Sequence, residues 1–453
     1  MWTCAIEPTE IPACQPARYI GRHRTVGTHP AEKEHLWPRM VEPHMRSWSC
    51  LFKLQLHPRW LWIDRDTTTR RSPPICGIIL AVRILAISHE ASRTGSVRAF
   101  LSALPVLRSM ATELVVVVKT PGPMIDEISA ESDSVMLTPK PWRSQLRRCA
   151  RIPWFDRAVP LVDRSIARSV VRQLRPDFIY ANTVLSSEYV AAAQIEHIPS
   201  VLHVHESQPL SAWAMARSRL HLDSVSTLAP SQFVANELNE MGVTSATVIR
   251  GPLTLSPTAD EQKINDLPWR QDSFRVIACG TVAPWKGTRE WLDCAERLTT
   301  IGNSTVEWTW IGTGAQIESV RRETVRREMD ARVHWLGEKE DVKPYLASAD
   351  LFVLPSHREP LGLVLLEAAS AGIPSIAFDA GGVREILVDD RALAEPGDVV
   401  DMVRKIRLAL TDSHLRAELL AASRPAILES SVVEWQSNLT DFLRSRLSMV
   451  KGN

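Results

Sequence analysis

Short apolar runs alternate with longer amphipathic segments from Arg83 to the end of the chain. "RILAIS" predicts a strand, "HEASRTGS" a loop and "VRAFLSALPVLRSM" a helix, and further strands are predicted at "ELVVVV", "FIYANT", "SVLHVH" and "VSTLAP". After a stretch rich in proline and polar residues, the alternation starts again with "RVIACG", "VEWTWIG", "RVHWLG", "LFVLPS" and "PSIAFD". Strands that alternate with helices are typical of parallel sheets covered on both faces.

The repeated alternation predicts an α/β protein with two Rossmann-like domains that face one cleft. We expect an N-terminal domain over residues 83–255, a linker over 256–272 and a C-terminal domain over 273–430. The last stretch, residues 431–453, contains the amphipathic sequence "VEWQSNLTDFLRSRL". We expect it to form a helix that crosses back to the N-terminal domain.

Residues 1–82 differ from the rest of the chain in composition. They are rich in Arg, His, Trp, Pro and Cys, and turn residues interrupt any helical or strand periodicity. A signal peptide would have a basic start and a compact apolar core, and this segment has neither. We interpret it as a non-native or disordered extension, translated from a start codon placed too far upstream. A targeting or interaction arm is the alternative.

Composition and charge exclude some classes of protein. The chain is 45% hydrophobic and 23% charged, which are ordinary globular values. A net charge of +1 argues against a nucleic-acid binder driven by bulk electrostatics, and no apolar run of about 18 residues predicts a membrane span. The seven cysteines form no CxxC pair or zinc-like spacing, so we expect a reduced, cytoplasmic setting and no metal site.

Two carboxylates interrupt the apolar stretch "SHREPLGLVLLEAASAGIPSIAFDAGG". The pattern predicts Glu359 in a strand-to-helix loop and Glu367 about two turns into the helix. Carboxylates in such surroundings need partners, and the paired hydroxyls of a sugar or ribose donate charge-assisted hydrogen bonds to them. The alternative is that one of them caps the helix or pairs with Arg358 or Arg384.

Two glycine-containing loops are candidates for binding phosphate. In "RVIACGTVAPWKG" a strand ends at Gly280, and Lys286 and Gly287 precede a helix. In "SHEASRTGSVR", Gly95 and Ser96 open a helix at the end of the first strand. A lysine and the free amides of a helix N-terminus both favour an anion. A surface lysine and a plain turn are the structural alternatives.

A third strand end, in "HVHESQP", carries His203 and His205. Its place in the cleft makes His205 a candidate for catalysis, and a half-buried structural histidine is the alternative. The stretch "WIGTGAQI" lacks a third glycine because Ile317 stands at that position, so we exclude NAD binding there.

In this order, "GTVAPWKG", "WIGTG", "RVHWLG", "DLFVLPSHREPLGLVLLEAASAGIP" and Gly381–Gly382 resemble the retaining glycosyltransferases of family 4, which have the GT-B fold. The resemblance covers about residues 83–445, and its most specific part is the E-x7-E motif of Glu359 and Glu367. It implies a metal-independent hexosyltransferase without a cofactor. The expected donor is a UDP- or GDP-linked sugar, and the expected acceptor is a glycan or lipid-linked molecule in cell-envelope or polysaccharide synthesis.

The resemblance also implies roles for individual residues. Glu359 would hold hydroxyls of the donor sugar, Glu367 the ribose and Lys286 the diphosphate, with His205 near the transferred sugar. The catalytic residues are therefore expected to be His205, Glu359 and Lys286. The donor-binding set is expected to be Gly95, Ser96, Gly280, Thr281, Lys286, Glu359, Leu361, Gly362, Leu363 and Glu367. Thr281 is a departure, because many members have Arg there, and Arg250 or another basic residue would have to compensate.

Residues 139–177 combine frequent arginine with Trp142, Trp154 and Phe155. This composition suits an anionic membrane surface that presents a lipid-linked acceptor, which predicts a cytoplasmic protein that is peripheral on the inner face of the plasma membrane. A solvated helical face is the alternative. Two other functions are considered, namely a nucleotide-sugar epimerase of the same architecture and a non-catalytic nucleotide-sugar-binding partner. We expect no nucleic-acid partner.

Overall fold

The computed structural model describes residues 61–64, 82–138, 155–253 and 269–448. They form two sheets in which most neighbouring strands are parallel, each associated with helices. The α/β class and the paired Rossmann-like domains predicted from the hydrophobic pattern are therefore confirmed.

The N-terminal sheet has the strand order β1-β4-β3-β2-β5-β6-β7-β8. Neighbouring strands are parallel except β1, which pairs antiparallel with β4. The central strands β2, β3 and β5 are almost entirely buried, as expected for apolar runs covered by helices on both faces. The strands are β1 Leu61–Asp64, β2 Arg83–Ser88, β3 Glu113–Val118, β4 Ser134–Leu137, β5 Phe178–Asn182, β6 Ser200–His203, β7 Ser226–Ala229 and β8 Ala246–Val248.

Helices follow these strands and cover the sheet. The long helix α1 buries an apolar face that includes Phe100 and Leu104 against the central strands. The helices of this half are α1 Gly95–Met110, α2 Ile125–Ala130, α3 Phe155–Leu174, α4 Ser187–Ile195, α5 Leu210–Ser218 and α6 Gln232–Glu240.

The C-terminal sheet has the order β10-β11-β9-β13-β14-β15, with β12 paired to the other side of β11. Only the short strand β10 pairs antiparallel among the described residues of this sheet. Four tryptophans pack edge to face in its core, which explains the aromatic runs "VEWTWIG" and "RVHWLG". The strands are β9 Phe274–Cys279, β10 Thr300–Ile301, β11 Ser304–Ile311, β12 Val333–Gly337, β13 Leu351–Leu354, β14 Ser375–Phe378 and β15 Leu393–Ala394.

The final helix returns to the other half of the molecule. The helices of this part are α7 Thr288–Arg297, α8 Ile317–Arg326, α9 Lys343–Ala347, α10 Leu363–Ser370, α11 Val399–Thr411, α12 Ser413–Ala422, α13 Arg424–Glu429 and α14 Val432–Ser448. Trp435, Leu439 and Leu443 of α14 are fully buried in the same apolar cluster as Phe100 of α1. Helix α14 therefore ties the end of the chain to the N-terminal domain.

Strand β1 lies inside residues 1–82, the segment for which the sequence indicates no regular structure. It extends the sheet through Leu61–Asp64 paired with Ser134–Leu137, because an exposed sheet edge accepts any extended segment that satisfies its backbone hydrogen bonds. The rest of residues 1–81, Trp142 and Trp154 of the basic segment, and most of the predicted linker lie outside the described residues.

Strand register decides which loops meet. Ser88, Asn182 and His203 are aligned across β2, β5 and β6, so the loops that follow these strands emerge at one edge. Ile311 and Cys279 are aligned in the same way in the C-terminal sheet. The carboxyl ends of parallel strands form the ligand-binding edge of such sheets, and here the two edges face each other.

Candidate active site

Glu359 and Lys286 form an ion pair on the C-terminal side of the cleft. Glu359 lies in the loop between β13 and α10 and is 6% exposed, and its Oε2 accepts a hydrogen bond from Lys286 Nζ at 2.6 Å. Lys286 follows β9, and its neighbour Gly287 has φ +67°. A Cβ at Gly287 would lie 1.8 Å from the carbonyl oxygen of Pro355, so the two loops pack backbone to backbone. This close packing holds the two side chains together.

The two arginines considered as partners for Glu359 are engaged elsewhere. Arg358 pairs with Glu237 and donates to Ser207 Oγ at 3.2 Å, both in the N-terminal domain. Arg384 pairs with Asp379 at 2.6 Å. The alternative pairing of Glu359 with Arg358 or Arg384 is therefore wrong, because Lys286 from a distant loop takes that position.

Glu367 lies one turn into α10, because the helix begins only at Leu363; the expectation of about two turns was wrong. Its Oε1 is 3.5 Å from Nη1 of Arg98, which comes from the N-terminal domain. Burial raises the pKa of Glu367, the charge of Arg98 opposes that rise, and Asp341 adds to it. A half-buried carboxylate with a raised pKa and one distant cationic partner is well suited to accept hydrogen bonds from neutral hydroxyl groups.

Two helix N-termini approach each other across the cleft. A Cβ at Gly95, the first residue of α1, would lie 3.2 Å from Leu363 Cδ1, the first residue of α10. Gly362 precedes α10 with φ +92°, and neither helix has an acidic residue in its first turn. The free first-turn amides and helix dipoles therefore produce a positive potential between Gly95–Ser96 and Leu361–Leu363.

The loop Gly280–Gly287 follows β9 and carries Lys286. Gly280 has φ +145°, and its carbonyl oxygen accepts a hydrogen bond from Trp310 Nε1 at 2.9 Å. The side chain of Thr281 is exposed and uncharged. Arg250, which was considered as a substitute cation, pairs with Glu385 and Glu429 instead. Arg250 therefore does not supply the compensating positive charge, because it is paired with these two carboxylates.

The N-terminal side presents His205. Its Nε2 lies 2.9 Å from Asn182 Oδ1, and Asn182 Nδ2 donates to the carbonyl oxygen of Ser96 at 3.0 Å. Burial, with His203 and His89 nearby, holds the pKa of His205 well below its ordinary value. The imidazole is therefore neutral, and donation from Nε2 to Asn182 leaves Nδ1 as an acceptor.

Sequence reasoning missed several polar residues at the same edge. Glu206 accepts hydrogen bonds from the backbone amides of Val184 and His205 at 3.1 Å, and burial raises its pKa. Thr183 has φ +70°, which is rare for a β-branched residue, and its Oγ1 is 3.1 Å from His89 Nδ1. Strained backbone is common at functional sites. The available signal was their place at the predicted strand ends, because Thr183 is the last residue of "FIYANT" and Glu206 directly follows "SVLHVH".

Comparison with known proteins identifies the family. The family profile for glycosyl transferases group 1 matches residues 259–424, and that for glycosyltransferase family 4 matches residues 97–255. The chain belongs to the group 1 glycosyltransferases of the GT-B fold. It is thus a glycosyltransferase, and its relatives include a mannosyltransferase of Corynebacterium glutamicum that is named as GDP-mannose-dependent and is 28% identical over 189 residues, which is 38% of this chain and 48% of that protein.

Relatives of this glycosyltransferase act on different sugars. Sulfoquinovosyl transferase of Arabidopsis thaliana is 26% identical over 376 residues, which is 77% of this chain and 69% of that protein. Glycogen synthase of Mycobacterium tuberculosis is 27% identical over 304 residues, covering 62% of this chain and 71% of that protein. These two relatives are thus named for different activities.

Solved structures support the fold. Anabaena HepE in complex with UDP and glucose aligns with a TM-score of 0.64 and 21% identity, over 80% of this chain and 100% of that one. Sucrose-phosphate synthase of Thermosynechococcus elongatus aligns with a TM-score of 0.64 and 16% identity, over 81% and 100%. At these identities the likeness establishes the GT-B architecture.

Metal-binding clusters and membrane-spanning helices are both absent from the described residues. Residues 82–138, 155–253 and 269–448 contain no group of three or more His, Cys, Asp and Glu side chains arranged to hold a metal ion. Among the helices described, none has the length and apolarity needed to cross a bilayer.

Proposed function

We propose that this glycosyltransferase moves a hexose-type sugar from a nucleoside-diphosphate donor to a glycan or lipid-linked acceptor, with retention of anomeric configuration and without a metal ion. The observation that carries the proposal is the convergence of Glu359, Lys286 and Glu367 beside the N-terminus of α10. Neighbouring structures that bind UDP and UDP-glucose support a nucleotide-sugar donor. Synthesis of a cell-envelope glycan or polysaccharide is the proposed setting.

The proposed donor pose assigns each part of the ligand to a group of matching chemistry. Glu367, half-buried and with a raised pKa, accepts hydrogen bonds from the ribose hydroxyls. Glu359 accepts from hydroxyls of the donor sugar, and Lys286, 2.6 Å from it, extends toward the diphosphate. The amides of Gly95 and Leu363 at the two helix N-termini provide further donors to the anion.

The proposed reaction proceeds on one face of the sugar. The bond between the anomeric carbon and the diphosphate oxygen breaks, and the bond to the acceptor oxygen forms on the same side. The acceptor hydroxyl proton passes to the departing phosphate oxygen. Lys286 and the helix amides are already in place when charge develops on the leaving group, which lowers the barrier. Contact between the domains excludes water and limits hydrolysis of the donor.

His205 is proposed to orient the transferred sugar. Its neutral imidazole presents Nδ1 as an acceptor, and the bond from Nε2 to Asn182 fixes the ring. Asn182 is in turn bonded to Ser96 at the start of α1, so the imidazole and the phosphate-facing amides form one rigid unit. A sugar hydroxyl that donates to His205 would be held in a fixed position relative to the diphosphate.

An anionic membrane surface is proposed to present the acceptor, which implies a peripheral, cytoplasmic enzyme. Exposed Leu161 and Val162 on α3, together with exposed Trp213 on α5, support this location. Arg164 connects the helices by donating to the carbonyl oxygen of Arg217 at 2.8 Å. Aromatic, aliphatic and arginine side chains together favour the headgroup region. Flotation with phosphatidylserine vesicles at low salt should recover the protein, and no flotation would remove this part of the proposal.

A thermal-shift panel of UDP, GDP, ADP and their sugars tests donor binding by the full chain. A ligand at 100 times its Kd stabilises by roughly 2.7 kcal/mol, which shifts Tm by about 5 °C. Glu367→Ala should abolish the shift, whereas Glu318→Ala on the exposed face of α8 should retain it. If no nucleotide shifts the folded protein, the proposal is wrong. Release of nucleoside diphosphate from the bound sugar donor then separates a transferase from a binding protein.

A further inference from the structure

The C-terminal domain alone provides little net positive charge at the proposed donor site. Lys286 is already neutralised by Glu359 at 2.6 Å. Thr281 is uncharged, and Arg250 is paired with Glu385 and Glu429. These residues therefore place little net positive charge beside the leaving nucleoside diphosphate, which carries several negative charges.

Arg98, on the N-terminal domain, enters this site from the opposite side. It lies in the first turn of α1, three residues after Gly95, and its side chain is 28% exposed. Its guanidinium contacts Glu367 Oε1 at 3.5 Å and the carbonyl oxygen of Glu340 at 3.4 Å. Charge-assisted bonds of arginine to oxygen are normally about 2.7–2.9 Å, so both contacts are loose. Arg98 is therefore held at the site by bonds that a stronger anion can replace.

The guanidinium also lies within electrostatic range of the glycine loop. Burial raises the pKa of Cys279 to about 12, the nearby charge of Glu367 adds to that rise, and the positive charges of Arg98 and Lys286 oppose it. Cys279 ends β9 and directly precedes Gly280 and Thr281. Arg98, Glu367 and Lys286 therefore all lie within electrostatic range of the residue that precedes this loop.

We propose that Arg98 is the second cation of the donor site and binds the diphosphate in place of the arginine that Thr281 replaces. This inference rests on the proposed function. When ribose hydroxyls occupy Glu367, the planar fork of Arg98 is free to bind two phosphate oxygens, for which its geometry is suited. The helix that carries Arg98 also supplies the amides of Gly95 and Ser96, so all these donors move together.

This arrangement links leaving-group stabilisation to contact between the domains. Lys286 belongs to the C-terminal domain and Arg98 to the N-terminal domain. Both cations reach the diphosphate only when the domains are together, which is also when water is excluded from the site. An arginine at position 281 would not impose that requirement, because it would lie in the same loop as Lys286.

The test compares ligands that differ only in phosphate. Binding of UDP, UMP and uridine, and of GDP, GMP and guanosine, is measured by calorimetry on the full chain. The variants are Arg98→Gln, Arg98→Lys and Arg98→Gln with Thr281→Arg. Arg108→Gln is the matched control, because Arg108 lies in the last turn of the same helix and pairs with Asp133.

Arg98→Gln should weaken binding of the diphosphate at least tenfold and change binding of the nucleoside less than twofold. Adding Thr281→Arg should restore most of the affinity for the diphosphate, and Arg98→Lys should give an intermediate loss because it keeps the charge without the fork. Arg108→Gln should change neither. If Arg98→Gln does not fold, the loss of diphosphate affinity in Arg98→Lys, compared with its nucleoside affinity, is the test.

Three results would overturn the inference. Equal losses for nucleoside and diphosphate would mean that Arg98 acts only by holding Glu367. Unchanged binding of the diphosphate would exclude Arg98 from the site. Failure of the wild-type protein to bind either nucleotide series would refute the proposed function itself, and the inference with it.

Discussion

The ion pair of Lys286 and Glu359 should contribute to the stability of the C-terminal domain as well as to activity. The side chains are 20% and 9% exposed, and their polar atoms are 2.6 Å apart. We predict that Lys286→Met and Glu359→Gln each lower the free energy of unfolding, because each leaves one charge without its partner in a partly buried loop. The double variant leaves no unpaired charge, so it should be less destabilised than the sum of the single changes.

The structure sets the expected size of this coupling. A fully buried pair that loses one partner costs about 3–5 kcal/mol, and the partial exposure of Lys286 places these variants at or below the lower end. Lys286→Met should cost about 3 kcal/mol, and Glu359→Gln about 1–2 kcal/mol because the amide oxygen still accepts the hydrogen bond. The coupling energy of the double-mutant cycle should then be about 1.5–3 kcal/mol, the usual value for a hydrogen bond between charged groups.

Urea unfolding followed by tryptophan fluorescence measures this coupling. Trp291, Trp308 and Trp310 lie in the core of the C-terminal domain and report its unfolding. The exposed pair of Arg321 and Glu318, 3.6 Å apart, is the control, with an expected coupling of about 0.3–0.5 kcal/mol. If the effects of Lys286→Met and Glu359→Gln simply add, the pair is not coupled and the argument fails. Sugar transfer should be lost in all three variants, since the proposed function assigns both side chains to donor binding.

Two further predictions concern backbone packing and pH. Gly287→Ala should destabilise the protein by more than about 3 kcal/mol, because the new Cβ would clash with the carbonyl oxygen of Pro355. Gly302→Ala should cost only about 1–2 kcal/mol, because Gly302 has a similar φ of +60° but open space around it. Urea midpoints of the two variants check this difference, and equal midpoints would contradict it. Burial lowers the pKa of His203 to about 3. As the pH falls below 6.5, this histidine is therefore protonated in the unfolded chain while it stays neutral in the folded protein. The free energy of unfolding should fall by about 2 kcal/mol between pH 6.5 and 5 for this reason. In His203→Gln the dependence of unfolding free energy on pH should be shallower by about one proton, and an unchanged slope would refute the assignment.

Much of the fold follows from local patterns. The apolar runs of four to eight residues identified the central strands of both sheets, because strands buried on both faces contain few polar positions. The glycine loop with Lys286 and the loop with Glu359 were placed correctly after strands, and Glu367 was placed correctly in the following helix but one turn too far along it. The proposed roles of these residues stay predictions until binding is measured.

The partners of these residues could not be predicted in the same way. The alternative to hydroxyl binding was that Glu359 or Glu367 caps the helix or pairs with Arg358 or Arg384, yet the partner of Glu359 is Lys286, 73 positions away in sequence. Arg98 and Glu367 are 269 positions apart and belong to different domains. His205 is bonded to Asn182, the last residue of the neighbouring strand β5. The local periodicity of the sequence does not predict contacts between residues so far apart in the chain.

The sequence by itself determined the α/β class, the two domains, the strand-end positions of the candidate residues and the family. These depend on hydrophobic periodicity and on motifs whose residues are close in the chain. Only the tertiary structure decided that Arg98 reaches Glu367, that Lys286 neutralises Glu359 and that Arg250 is committed elsewhere. Electrostatic interactions depend on distance in space, and that distance is set by strand register and domain contact, which the linear pattern does not contain.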